Sequence, residues 1–195
     1  MASQPNSFSL LSMKIVTEER VMENGYVVIK EGKIADFGPI EKYNNDENLT
    51  EIQLSEGLYA SPGFIDIHIH GLNGADVMDA TMDSIMTMAT TLPKEGTTSF
   101  LATTITQEQS KLEKALQNVN TFISNQHQNH VGSEALGVHL EGPFINVKRA
   151  GAQPPAFILE PSVETFRHFQ SESGNHIKLV TLAPEMSNGL ELVKY

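Results

Sequence analysis

The feature that most constrains the fold is a regular alternation of strand and helix patterns after residue 60. Short apolar runs typical of strands are separated by longer segments in which apolar residues recur at helical spacing. The predicted strands are residues 63–70, 96–105, 135–141 and 177–183, and the predicted helices are residues 81–95, 108–125 and 161–172. Alternation of this kind indicates parallel βαβ units.

The number of these units limits the architecture. Residues 61–195 supply at most four βα units, whereas a closed eightfold α/β barrel takes about 250 residues. We therefore expect either the first half of such a barrel or an open four-unit sheet. Periodicity alone does not separate the two.

The segment before residue 60 has a different pattern. Residues 14–37 read as short β-rich runs, with turns predicted at Asn24-Gly25 and Glu31-Gly32. Residues 43–51 are polar and are expected to form a loop, and residues 51–54 a further short strand. We predict that residues 1–58 form part of a small β-sheet domain and that residues 59–195 form the βα units.

The first motif with chemical content is PGFIDIHIHG, residues 62–71. On a strand, Asp66, His68 and His70 share one face, and the isoleucines between them form an apolar face suited to packing against helices. Same-face positions lie about 6.5–7 Å apart, so both imidazoles can converge on one cation near the strand's carboxyl end, where barrel active sites are built. Because burying unpartnered polar groups is costly, the motif favours metal ligation over two histidines that merely bond neighbouring carbonyls.

The second motif is GVHLEGPF, residues 137–144. His139 and Glu141 share one face of the predicted strand, and Gly142-Pro143 ends it, which puts Glu141 at the strand's carboxyl end. A carboxylate there can bind the same cation as His68 and His70, or bridge two cations. The alternative is a structural glutamate paired with His139 or a basic residue. The nearby histidine pair favours metal binding.

Composition excludes several other classes of protein. The absence of cysteine excludes disulfides, thiolate nucleophiles and cysteine-based metal sites. With 13 basic and 24 acidic residues, the net charge of −11 argues against nucleic-acid and anionic-membrane partners. No targeting signal and no apolar run of about 20 residues is present. We therefore expect a cytoplasmic protein with no nucleic-acid and no membrane partner.

The two motifs carry a family resemblance that covers nearly the whole chain from about residue 14. The sequence resembles the amidohydrolase superfamily and, within it, the N-acetylglucosamine-6-phosphate deacetylases. PGFIDxHxHG marks the superfamily, and HLEGPF with the downstream GA(H/Q) segment points to the deacetylases. The matching stretches are ENGYVVIKEGKIADFG, SPGFIDIHIHGLNGAD, EGTTSFLATTIT, GVHLEGPFINVKRAGAQP and KLVTLAPE.

The resemblance implies α/β architecture: the first half of a (β/α)8 metal-dependent hydrolase barrel, preceded by strands of a small β-sandwich domain. It implies that His68, His70 and Glu141 ligate one or two divalent ions, Zn or Fe. It also implies that Ala152 and Gln153 contact the substrate, an amino-sugar phosphate, although many relatives have His where Gln153 stands. The implied reaction is metal-dependent release of acetate from N-acetylglucosamine 6-phosphate, and the implied full-length assembly is a homodimer.

This chain also differs from the family in its length. Members of this family are roughly twice as long, and their later metal ligands and catalytic Asp have no counterpart here. We therefore expect an N-terminal half whose catalytic residue is unknown, with little or no activity on its own.

Three other interpretations stay open. A ring-opening amidohydrolase uses a Lys at the end of the fourth strand; here that strand ends TLAPE, and Lys178 stands near its beginning, which favours the deacetylase. The second interpretation is a non-catalytic sugar-phosphate-binding module. The third is an inert fragment whose unpaired strand edges invite pairing with another chain.

Overall fold

A computed structural model describes residues 7–55, 57–126 and 132–195 of the chain. The chain divides into two compact units, Met1–Pro62 and Gly63–Tyr195. The domain boundary predicted between residues 58 and 59 stays a prediction. None of the described helices is long and apolar enough to cross a membrane.

The first unit contains one five-stranded sheet. Its strands are β1 (Phe8–Val16), β2 (Val21–Lys30), β3 (Lys33–Pro39), β4 (Thr50–Gln53) and β5 (Tyr59–Ala60). The strand order is β3-β2-β1-β4, and β5 also pairs with β1. The β1–β2 and β2–β3 pairs are antiparallel, whereas β4 and β5 run parallel to β1. The predicted strand at residues 51–54 is thereby confirmed as β4.

One of the two predicted turns in this unit is correct and the other is wrong. Glu31 and Gly32 have φ angles of 53° and 75° and connect β2 to β3. Asn24-Gly25, by contrast, lies inside β2, where Gly25 pairs with Met13. A Cβ on Gly25 would lie 2.5 Å from Ile15 Cδ1. The glycine serves close packing within the sheet, which a local turn signal does not distinguish from a hairpin.

This packing predicts a stability effect at Gly25. The substitution Gly25→Ala should lower the free energy of unfolding by about 1–3 kcal/mol, because the new methyl overpacks against buried Ile15. Urea unfolding of the purified chain measures it. The control is Gly32→Asn, since Asn tolerates the left-handed backbone of this exposed turn. Equal stability of the two variants would contradict the packing argument.

The second unit is built on a parallel four-stranded sheet, in agreement with the predicted βαβ units. Its strand order is β11-β10-β9-β6, and β7 and β8 form a separate antiparallel pair. The strands are β6 (Phe64–Ile69), β7 (Gly71–Leu72), β8 (Ala75–Asp76), β9 (Thr97–Thr104), β10 (Glu134–Glu141) and β11 (Ile177–Thr181). The helices are α1 (Met82–Thr91), α2 (Gln109–Asn125), α3 (Val163–Glu172) and α4 (Gly189–Lys194).

Capping and apolar periodicity explain where these helices form and which face they bury. The Thr81 side chain accepts a hydrogen bond from the Ser84 backbone N–H at the start of α1, and the Ser162 side chain accepts one from Thr165 at the start of α3. The apolar faces pack on the sheet. The core between helices and sheet includes the fully buried Ile85, Met88, Phe100, Leu112, Leu116, Val138, Leu140, Phe144 and Phe169.

Strand β6 differs from the expectation in one respect. Ile69 packs against this core as predicted, but Ile65 and Ile67 are 60% and 55% exposed. The prediction that the whole isoleucine face packs against helices is therefore wrong for these two residues. The physical reason is that β6 is the edge strand of the described sheet and none of the described helices packs closely against it.

Candidate metal centre

Three of the predicted site residues meet at the carboxyl ends of the parallel strands. His68 lies in β6, His70 follows that strand directly, and Glu141 is the last residue of β10. Strand β9 separates β6 from β10 in the sheet, so the cluster spans three strands. One ligand atom from each residue can be chosen so that all three lie within 4.8 Å of one another.

The Glu141 carboxylate faces both imidazoles. Its Oε2 lies 3.1 Å from His70 Nε2, and its Oε1 lies 3.6 Å from His68 Nε2. The two rings are 5.3 Å apart between centroids and steeply inclined, at 71°. The glutamate is thus directed at the two histidines. In the structural alternative the glutamate would pair with His139 or a basic residue, whereas the contacts observed here are with His68 and His70.

The donor set fits a divalent cation. Nitrogen and oxygen ligands held at about 2.0–2.2 Å from a tetrahedral ion are separated from each other by roughly 3.4 Å. The two distances from the carboxylate oxygens to the ring nitrogens bracket this separation. Two imidazoles and a carboxylate are also ligand types that zinc and iron accept. The residues present therefore have the right chemistry and nearly the right spacing.

The ring of His70 is oriented by strand β9. Its Nδ1 donates to the backbone carbonyl oxygen of Thr103 at 3.2 Å, so that Nε2 is the ring nitrogen that faces Glu141. The Thr103 hydroxyl also accepts a hydrogen bond from the Ile69 backbone N–H at 2.9 Å. Carbonyl partners of this kind set the tautomer and direction of metal-ligating histidines.

His139 lies beneath the cluster and was not predicted to have a role of its own. It is only 2% exposed, and its Nε2 lies 2.8 Å from the Thr181 hydroxyl. Its ring stands nearly perpendicular to that of His68, at 86°, with centroids 4.7 Å apart. Burial lowers the pKa of His139 below its ordinary value, and the neighbouring His68 lowers it further. In the sequence, the one indication that His139 belongs to the site is that it stands two residues before Glu141 and shares its face of the strand.

The predicted substrate residues lie in the loop after β10. The Thr106 backbone N–H donates to Gln153 Oε1 at 2.7 Å, just beyond the carboxyl end of β9. A Cβ added to Gly142, the residue after Glu141, would lie 3.8 Å from the same oxygen. Gln153 is thus held beside the strand ends, while Ala152 is exposed in a turn. Their contact with a substrate stays a prediction.

The comparisons with known proteins point to one family. The amidohydrolase family matches residues 59–191. The chain is 46% identical over 192 residues to N-acetylglucosamine-6-phosphate deacetylase of Bacillus subtilis (strain 168), covering 97% of this chain and 47% of that protein. It is 40% identical over 168 residues to the enzyme of the same name from Lysinibacillus sphaericus, covering 86% and 42%.

Solved structures give the same result. The crystal structure of N-acetylglucosamine-6-phosphate deacetylase from Pasteurella multocida superimposes with a TM-score of 0.82 at 28% identity, covering 96% of this chain and 48% of that one. The resemblance inferred from the two motifs and the α/β half-barrel architecture are both confirmed. The chain spans about half the length of the curated relatives it matches.

Proposed function

Because the chain belongs to the amidohydrolase family, we propose that it provides the metal site of a hydrolase that removes the acetyl group from N-acetylglucosamine 6-phosphate. The substrate is the one named for its relatives from Bacillus subtilis and Lysinibacillus sphaericus. The observation that carries the proposal is the position of the Glu141 carboxylate, 3.1 Å from His70 Nε2 and 3.6 Å from His68 Nε2.

Each site residue has a separate task in this proposal. His68, His70 and Glu141 hold the cation, which when bound supplies Lewis-acid polarisation of the amide carbonyl and a lowered pKa for a water nucleophile. The Thr103 carbonyl holds His70 in the tautomer that presents Nε2. The Gln153 carbonyl oxygen accepts from Thr106, so its amide N–H groups are the part of that side chain that can donate to a sugar oxygen.

The ring-opening alternative is less well supported by the structure. Those amidohydrolases place a Lys at the end of the fourth strand of the barrel. The fourth parallel strand here, β11, ends at Thr181, and Lys178 is exposed near its beginning. A carboxylate at the end of the third strand, Glu141, takes the place beside the histidines instead.

A chimera provides the test, because the chain spans only about half of its relatives. The 195 residues replace the matching portion of the Bacillus subtilis deacetylase, and acetate release is measured with added Zn²⁺ or Fe²⁺. We expect turnover of N-acetylglucosamine 6-phosphate, much less of N-acetylglucosamine without its phosphate, and none of the cyclic amide dihydroorotate. His68→Ala in the same chimera should abolish turnover.

The result against the proposal is equally specific. A folded chimera that binds the sugar phosphate without a cation and releases no acetate would favour the non-catalytic binding module. The 195-residue chain by itself should release little or no acetate, since no residue in it matches the catalytic Asp implied by the resemblance. Full turnover by a homogeneous preparation of that chain would contradict this part of the proposal.

A further inference from the structure

The two histidines of the candidate site are oriented by different kinds of contact. His70 has a hydrogen bond from Nδ1 to the Thr103 carbonyl. Within the described residues, the His68 ring has no hydrogen-bond partner, and its 3.6 Å approach to Glu141 is an ion-pair distance. The same ring packs edge-to-face on His139, at 4.7 Å between centroids. The His68 ring therefore packs on two other imidazoles, those of His70 and His139, and the ring of His139 is the nearer of the two.

The His139 ring is itself held from two sides. Its Nε2 lies 2.8 Å from the Thr181 hydroxyl on β11, and its Nδ1 lies 3.4 Å from the Thr103 hydroxyl on β9. A neutral imidazole offers one donor and one acceptor, and threonine hydroxyls can pair with either. Together with the contact to His68 on β6, one buried side chain from β10 thereby touches all three other strands of the sheet.

We infer that His139 is a positioning residue, which sets the direction of the His68 ring toward the cation, and that the Thr181 hydroxyl sets the plane of the His139 ring. The inference rests on the proposed function, because it assumes that His68 ligates a metal. Removing a partner that orients a metal ligand typically weakens metal affinity by about 10–100-fold. Edge-to-face packing gives the ring a defined orientation without occupying its nitrogens.

The test uses the purified 195-residue chain and Zn²⁺ or Co²⁺ alone. Titration calorimetry gives the Zn²⁺ dissociation constant, and the visible spectrum of bound Co²⁺ reports the coordination geometry. Thr181→Val keeps the shape of an exposed side chain but removes the hydroxyl, and it should weaken Zn²⁺ binding about 10-fold and alter the Co²⁺ spectrum. Thr181→Ser restores the hydroxyl and should restore both.

Two further variants separate positioning from general stability. Thr98→Val makes the same chemical change on an exposed residue near the opposite end of β9 and should leave the dissociation constant and the spectrum unchanged. His139→Ala should weaken Zn²⁺ binding by about 10–100-fold, and adding Thr181→Val to it should have no further effect, because the hydroxyl acts through the ring. Urea unfolding of each variant shows which of them fold.

The outcomes distinguish this inference from the proposed function. If the chain binds Zn²⁺ and both Thr181→Val and His139→Ala bind it as tightly with an unchanged Co²⁺ spectrum, the positioning role is overturned while the metal site stands. If His139→Ala fails to fold, the Zn²⁺ affinities and Co²⁺ spectra of Thr181→Val and Thr181→Ser still show whether the positioning role holds. A chain that binds no cation overturns the metal site and the positioning role together.

Discussion

Replacing Glu141 with Gln should reduce the affinity of the chain for Zn²⁺ by more than about 100-fold, since losing only an orienting partner of a ligand already costs 10–100-fold. The side chains have nearly the same shape, but the neutral amide is a poor ligand and does not balance the charge of the cation. The Glu141 side chain keeps 19% exposure, so the variant should fold. Calorimetric titration of the purified chain with Zn²⁺ measures the effect.

A matched substitution tests whether the effect is local. Glu95→Gln removes one negative charge from an exposed residue before β9, near the opposite end of the sheet, and should bind Zn²⁺ as the unaltered chain does. If Glu141→Gln also binds normally, the carboxylate is only an ion-pair partner of His68 and His70. The metal-binding interpretation would then fail at the residue that carries it.

The βα pattern could be predicted well because it depends on local periodicity. Helix α2 was predicted over residues 108–125 and is observed as Gln109–Asn125. The parallel strands were predicted to within about two residues of their observed bounds. Long amphipathic segments report their secondary structure directly, since the apolar spacing of a helix differs from that of a strand. The hairpin signal at Asn24-Gly25 failed for the opposite reason: close packing against Ile15, a tertiary contact, determines that glycine.

The site could be predicted only in part. Alternation along a strand placed His68 and His70 on one face and Glu141 on another strand's carboxyl end. The distances between them depend on the register of three strands, which no local pattern contains. The role of His139 is still harder to predict from the sequence, because its contacts Thr103 and Thr181 lie on two separate strands. A sequence shows that His139 faces the site, and only the fold shows what it touches.

The exposed edge of β6 leads to the second large effect. We expect the purified 195-residue chain to self-associate, because Phe64, Ile65 and Ile67 are 68%, 60% and 55% exposed on a strand whose outer backbone groups are unpaired in the described sheet. Burying one such side chain is worth about 1.5–3 kcal/mol. The double variant Ile65→Thr with Ile67→Thr keeps β-branched side chains and should weaken association at least about 10-fold.

Sedimentation velocity over a series of concentrations tests this expectation. Val21→Thr is the control: it makes a comparable change on an exposed strand residue whose strand is paired with β1 and β3, so it should leave association unchanged. A chain that sediments as a monomer throughout would contradict the expectation, because the exposed β6 edge would then not be enough to drive association.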